Sequence, residues 1–156
     1  MEKSTTALMN FLTRITAILI AAMALIVIAN VFSRYVLNFS LKWSAELARY
    51  CMVWAAFLGA VVLVHSGEHL AVDLLERGLS GISQKILKVI IILGSIIFFI
   101  IQTVYGIVLV HLTRGQVASS LRALPMNAVY AIIPISGLLM IFVSVVKLYS
   151  LLAKQR

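Results

Sequence analysis

The chain alternates between long uncharged apolar runs and short polar connections. Ile15 to Phe32, Val89 to Val110 and Ala128 to Val146 carry no charged residue, and at 1.5 Å per residue each is long enough to cross a hydrocarbon core of about 30 Å. A fourth run, Tyr50 to Val64, has only 15 residues and covers roughly 22 Å. It must draw on flanking residues that include Arg49 and Glu46. The pattern predicts an all-α integral membrane protein with one domain over residues 1–156, a compact bundle of four spans at about 15–34, 45–65, 86–111 and 126–147. The first run follows a mixed stretch and has no small-x-small cleavage site before the next polar segment, so it is expected to be retained.

Between the second and third spans, Leu70, Leu74, Leu75 and Leu79 recur near helical spacing with Asp73, Glu76 and Arg77 opposite. This predicts a short amphipathic helix on the membrane surface. Pro125 sits where a proline opens a helix, and Pro134 falls inside the fourth span, where it removes a backbone donor and predicts a kink. Small residues four apart, Ala55 with Gly59 and Ala56 with Ala60, give the second span a face that a neighbouring helix can approach closely.

Composition confirms the class. Of 156 residues, 63% are hydrophobic and 12% charged, and the mean hydropathy is +1.11. These values exclude a disordered chain and an ordinary soluble globule. The net charge of +8 reads as flanking charge on spans, with membrane lipids as the contact and no nucleic acid as partner. Lys3, Arg14, Arg77, Lys85, Lys88, Lys147, Lys154 and Arg156 fall on the side of the termini, against Arg34, Lys42, Arg49, Arg114 and Arg122 on the other. The positive-inside rule then places both termini in the cytoplasm.

The ionisable residues cluster at one edge. Asn30 and Arg34 are four apart at the end of the first span, and Glu46 and Arg49 three apart at the start of the second, so each pair shares a helix face. Trp43 suits an interfacial anchor. Two readings stand side by side: ordinary interfacial charges snorkelling to water, or a structural or partner-facing cluster in which Glu46 pairs with Arg34 or Arg49. The shortness of the second span favours the cluster.

No chemistry of the enzymatic kind is expected. Acid pairs, nucleophile–base arrangements and phosphate loops are missing from the sequence pattern, and no span has an interior carboxylate of the kind a proton-coupled exporter uses. Of the three histidines, His65 and His69 follow the inner end of the second span and His111 ends the third on the other side, which disfavours a shared haem or metal. No cofactor is expected. Gln102, Thr103 and Ser95 are expected as hydrogen-bond partners between helices. The lone Cys51 is expected to be a packing residue.

Taken together, Asn30-Val-Phe-Ser-Arg34-Tyr35, Trp43-Ser-Ala-Glu46-Leu-Ala-Arg49-Tyr50, Trp54, Phe57-Leu-Gly59-Ala60, Glu68-His69-Leu-Ala-Val-Asp73 and the later Pro125, Tyr130, Pro134 and Gly137 resemble the small membrane subunit of tripartite ATP-independent periplasmic (TRAP) transporters, the DctQ-like family. Asn127 and Cys51-Met52 depart from the bulkier residues usual there. The resemblance implies a sodium-coupled secondary transporter of the bacterial inner membrane. In it a large membrane subunit holds the sodium and substrate sites, and a soluble periplasmic binding protein delivers an organic acid such as a dicarboxylate or a sialic acid. It also implies that Arg34, Trp43, Glu46, Arg49 and Trp54 position the first two spans against the large subunit, with His69 and Asp73 shaping the surface helix. The residues alone leave open a membrane anchor of a respiratory complex that binds quinone or haem, and an independent small exporter.

Overall fold

The structure is a computed structural model that describes residues 2–66, 82–120 and 124–153, with side chains over 5–66, 86–120 and 124–150. Five helices account for most of it: α1 Glu2–Val36, α2 Ser44–Ser66, α3 Ile82–Leu112, α4 Met126–Tyr130 and α5 Ile132–Ala153. Four stretches, Thr5–Val36, Ser44–Ser66, Ile86–Leu112 and Met126–Ser150, are long and apolar enough to cross a membrane. The predicted surface helix, with His69 and Asp73, lies outside the described residues.

Helix α1 begins 13 residues before the predicted first span. Nothing between residues 2 and 36 is Gly or Pro, so no local signal stops helix growth. Met9 and Leu12 in this extension are buried in the core beside Val61 and Val64 of α2, which rewards the extra turns. The end of α1 has a specific chemistry. Asn38 takes a left-handed conformation, φ 52°, and the Leu37 and Phe39 amides both donate to the Ser33 carbonyl at 3.1 Å. Asn is among the few residues other than Gly that adopt this conformation readily. The Ser33 hydroxyl donates to the Phe39 carbonyl at 2.7 Å and Asn30 Oδ1 accepts the Leu41 amide at 3.3 Å, so the turn is tied back to its own helix before α2 starts.

The helices pack in the order α1, α2, α5, α3. Among the described residues α1 and α3 make no extensive contact, so the expected compact bundle is instead an open row with α2 and α5 in the middle. Burial follows that order: α2 and the last span are the most covered, α3 less, and no residue in the most apolar stretch of α1 is buried. The core includes Leu58, Val61, Val64, Met140 and Val143 in the half of the row nearer the chain termini and Phe99 near the middle of α3, and it continues to Ile132 at the start of α5, with Ala48, Ala118 and Val129 also buried toward the other end. Below, "terminal end" and "loop end" denote the two ends of the row.

The contact between α3 and α5 is close because two glycines permit it. A Cβ on Gly106 would lie 2.9 Å from both Cδ and the ring nitrogen of Pro134, and one on Gly137 would collide with the Thr103 hydroxyl. By contrast, a Cβ at Gly59 would meet only Thr16 Cγ2, at 3.8 Å, an ordinary contact. An added Cβ is therefore not accommodated at Gly106 and Gly137, whereas at Gly59 it is. Gln102 Nε2 reaches the Ile133 carbonyl and Ser136 Oγ, both at 3.3 Å, as expected of an interhelical partner. Thr103 instead donates back to the Phe99 carbonyl of its own helix at 2.7 Å.

At the terminal end, Lys147 Nζ donates to the Val64 carbonyl at 2.6 Å. This carbonyl lies in the last turn of α2, where carbonyls lack helical partners and a cation is favoured by the helix dipole. Lys147→Met keeps the apolar stem and removes the donor. It is expected to destabilise the protein by about 1–2 kcal/mol, read as a lower midpoint of unfolding in mixed micelles.

Candidate functional site

The break between α4 and α5 begins the account of the loop end. Pro134 has no amide hydrogen to give the carbonyl four residues earlier, and the helix is interrupted at Ala131, where the sequence predicted a kink. Pro125, extended at φ −73° and ψ 132°, is the residue from which α4 starts. The preceding connection folds back on itself: Val117 bridges Pro125, the Ala118 amide donates to the Leu124 carbonyl at 3.0 Å and the Met126 amide to the Gln116 carbonyl at 2.9 Å. Gly115 supplies the left-handed residue, φ 84°, that this reversal requires.

Three residues on successive turns of α2, Glu46, Tyr50 and Trp54, fasten this connection. One oxygen of Glu46 accepts the Tyr50 hydroxyl at 2.7 Å and the Ser119 amide at 3.0 Å. The other accepts the Ser120 amide at 2.7 Å. Two adjacent backbone N–H groups thus converge on one carboxylate, and the charge on the acceptor strengthens each bond. Glu46 also stands in the first turn of α2, where the helix dipole favours a negative group. One turn on, the Tyr50 hydroxyl oxygen lies 3.3 Å from Met126 Sδ. One turn further, Trp54 Nε1 donates to the Val129 carbonyl at 3.1 Å, satisfying a backbone group beside the interruption in the last span. Trp54→Phe keeps the ring packing and removes this donor; a loss of about 0.5–1.5 kcal/mol is expected in the same unfolding measurement.

The predicted residues divide accordingly. Glu46 and Trp54 meet in one arrangement with the loop and α4, and Tyr130 is half-buried at the end of α4. Asn30 organises the turn after α1. Arg34 and Arg49 are exposed, as are Pro125 and Trp43, the latter at 40%. Glu46 turns to the amides of the 113–125 connection and to Tyr50, where the sequence suggested Arg34 or Arg49 as partners. An i, i+3 or i, i+4 spacing identifies neighbours along one helix, whereas a partner some 73 positions away is visible only after folding. Tyr50, Ser119, Ser120 and Met126 were missed for this reason, and Ser33 because its partner Phe39 lies in the turn after α1, outside any helical spacing. For Tyr50 a signal existed, because it sits one helical turn from both Glu46 and Trp54.

Among the described residues no group of three or more His, Cys, Asp or Glu is placed to hold a metal. His65 is in the last turn of α2 and His111 in the last turn of α3, at opposite ends of the row.

Four membrane-length apolar helices packed in an open row define a multi-pass membrane protein of the all-α class. Residues 23–154 match the family described as tripartite ATP-independent periplasmic transporters, DctQ component. The chain belongs to that family, whose members are components of transporters. It is also similar to a TRAP transporter small permease protein of Haemophilus influenzae, with 38% identity over 72 residues. That similarity covers 46% of this chain and 45% of the relative, so it spans about half the length of each.

Proposed function

We propose that this chain is the small permease subunit of a sodium-coupled TRAP transporter that imports an organic acid of the dicarboxylate or sialic acid type. The observation that carries this reading is the family match over most of the chain, which also disfavours the respiratory-anchor alternative. In this reading the partners are a large membrane subunit and a soluble periplasmic binding protein, and the chain lies in the bacterial inner membrane with its terminal end in the cytoplasm. The eight-to-five division of basic residues supports that orientation. The subunit acts as fixed frame. It contributes no transport site; its helices anchor the immobile part of the complex while the large subunit moves.

Arg34, Trp43, Glu46, Arg49 and Trp54 position α1 and α2 for that contact, and the stretch ending in the clamped Ser119 and Ser120 offers the binding protein a surface. Co-expression with a candidate large subunit tests the assignment. The two are expected to co-purify, and uptake of organic acid driven by a sodium gradient is expected to require both together with the soluble protein. Uptake by this chain alone in liposomes would overturn the proposal.

A further inference from the structure

Toward the loop end the row leaves a gap beside the buried Ala48 and Val129. Between α1, α2 and the start of the last span lies a cleft of about 200 Å³, walled by Leu19, Leu47, Cys51, Leu124 and Ala128 together with Tyr50 and Trp54. Leu19 is near the middle of α1 and Leu47 in the first turn of α2, so the cleft runs from the interface toward the bilayer centre. We infer that this cleft holds one acyl chain of a phospholipid.

Three observations select a hydrocarbon chain. Among the described residues, the strongly polar side chains of the wall are already bonded inward, the Tyr50 hydroxyl to Glu46 and Trp54 Nε1 to the Val129 carbonyl, so these residues give an occupant almost nothing to hydrogen-bond. Water is excluded on the same ground, because a stable buried water needs two to four polar partners. Size disfavours a helix, which is about 10 Å across with its side chains, so that a single turn would fill more than the cleft's volume of about 200 Å³. Lys42 and Trp43, which precede Leu47 of the wall by five and four residues, are exposed, and a cation suits a phosphate as an indole suits the membrane boundary.

The test uses the full chain in vesicles of phosphatidylethanolamine and phosphatidylglycerol that contain a trace of phospholipid bearing a mid-chain diazirine. After photolysis the adducts are mapped by mass spectrometry. A held chain places about tenfold more label on residues 47–54 and 124–129 than on the stretch around Ile97 and Ile101 of α3, whose apolar side chains are 60% and 50% exposed and meet bulk lipid. Ala128→Trp, which closes the cleft, is expected to remove the excess and leave the α3 label unchanged. Equal labelling of the two regions, or an excess that survives Ala128→Trp, overturns the inference. So does an excess that vanishes when the large subunit is co-expressed, because the cleft would then take a protein side chain. Cys51 gives an independent measurement on the unmodified chain: its reaction with a maleimide in detergent is expected to slow about tenfold when phosphatidylethanolamine is added back, and an unchanged rate overturns the inference.

Discussion

Glu46→Ala is expected to free the 113–125 connection from α2 and to lower both assembly with a large subunit and uptake. The substitution leaves the Ser119 and Ser120 amides and the Tyr50 hydroxyl without the acceptor they share. Hydrogen bonds to a charged group each contribute about 1.5–3 kcal/mol, but Glu46 is only half-buried and water can replace part of what is lost. A net cost of roughly 2–4 kcal/mol follows. Glu46→Gln keeps one carbonyl acceptor and the side-chain length, so its effect is expected to be smaller than that of Ala. Hydrogen exchange at the Ser119 and Ser120 amides separates loss of the clamp from general unfolding: both amides should exchange faster in Glu46→Ala while those of α3 stay protected. Uptake and assembly at wild-type levels would refute the role given to this residue.

Gly106→Ala is the second substitution with a large expected effect, and its mechanism is steric. The new methyl would sit 2.9 Å from both Cδ and the ring nitrogen of Pro134 and 3.0 Å from Ile133 Cγ2. A flexible side chain could swing away, but a proline ring is bonded into the backbone and cannot. Relief requires α3 and α5 to separate locally, which also stretches the bonds from Gln102 to Ile133 and Ser136. Overpacking of this kind costs about 1–3 kcal/mol, occasionally more. Gly59→Ala is the control, since a methyl there meets only an ordinary contact; it should leave the unfolding midpoint nearly unchanged. If the two variants unfold alike, the close approach of α3 to α5 is not a determinant of stability.

Glycine shows how far the sequence could be read. From spacing, Gly59 looked like the close-contact residue, because Ala55 and Gly59 are four apart in an apolar helix. Gly106 has no small residue four positions before or after it, yet it is the one that meets a neighbouring backbone. The difference lies in what stands opposite. Facing Gly59 is the end of a threonine side chain, whereas Gly106 faces a proline ring. The same holds for the ionisable edge. Asn30 and Glu46 were legible as part of a polar edge and Trp54 through the family resemblance, but described partners of each come from elsewhere: the turn after α1, the Ser119 and Ser120 amides and the carbonyl of Val129.

By itself the sequence determined the class, the number of spans, the shortness of the second and the interruption near Pro134. Each follows from local quantities: transfer of apolar side chains out of water, rise per residue, and the missing amide of proline. The family resemblance was carried by residues within the same local segments. Tertiary structure decided the order α1, α2, α5, α3, the close contacts at Gly106 and Gly137, the partners of Glu46 and the cleft left open beside Cys51. All of these depend on which faces of distant helices meet. In a membrane nearly every face is apolar enough to pack against lipid, so hydropathy cannot choose among them; small side chains and paired polar groups make that choice once the helices are side by side.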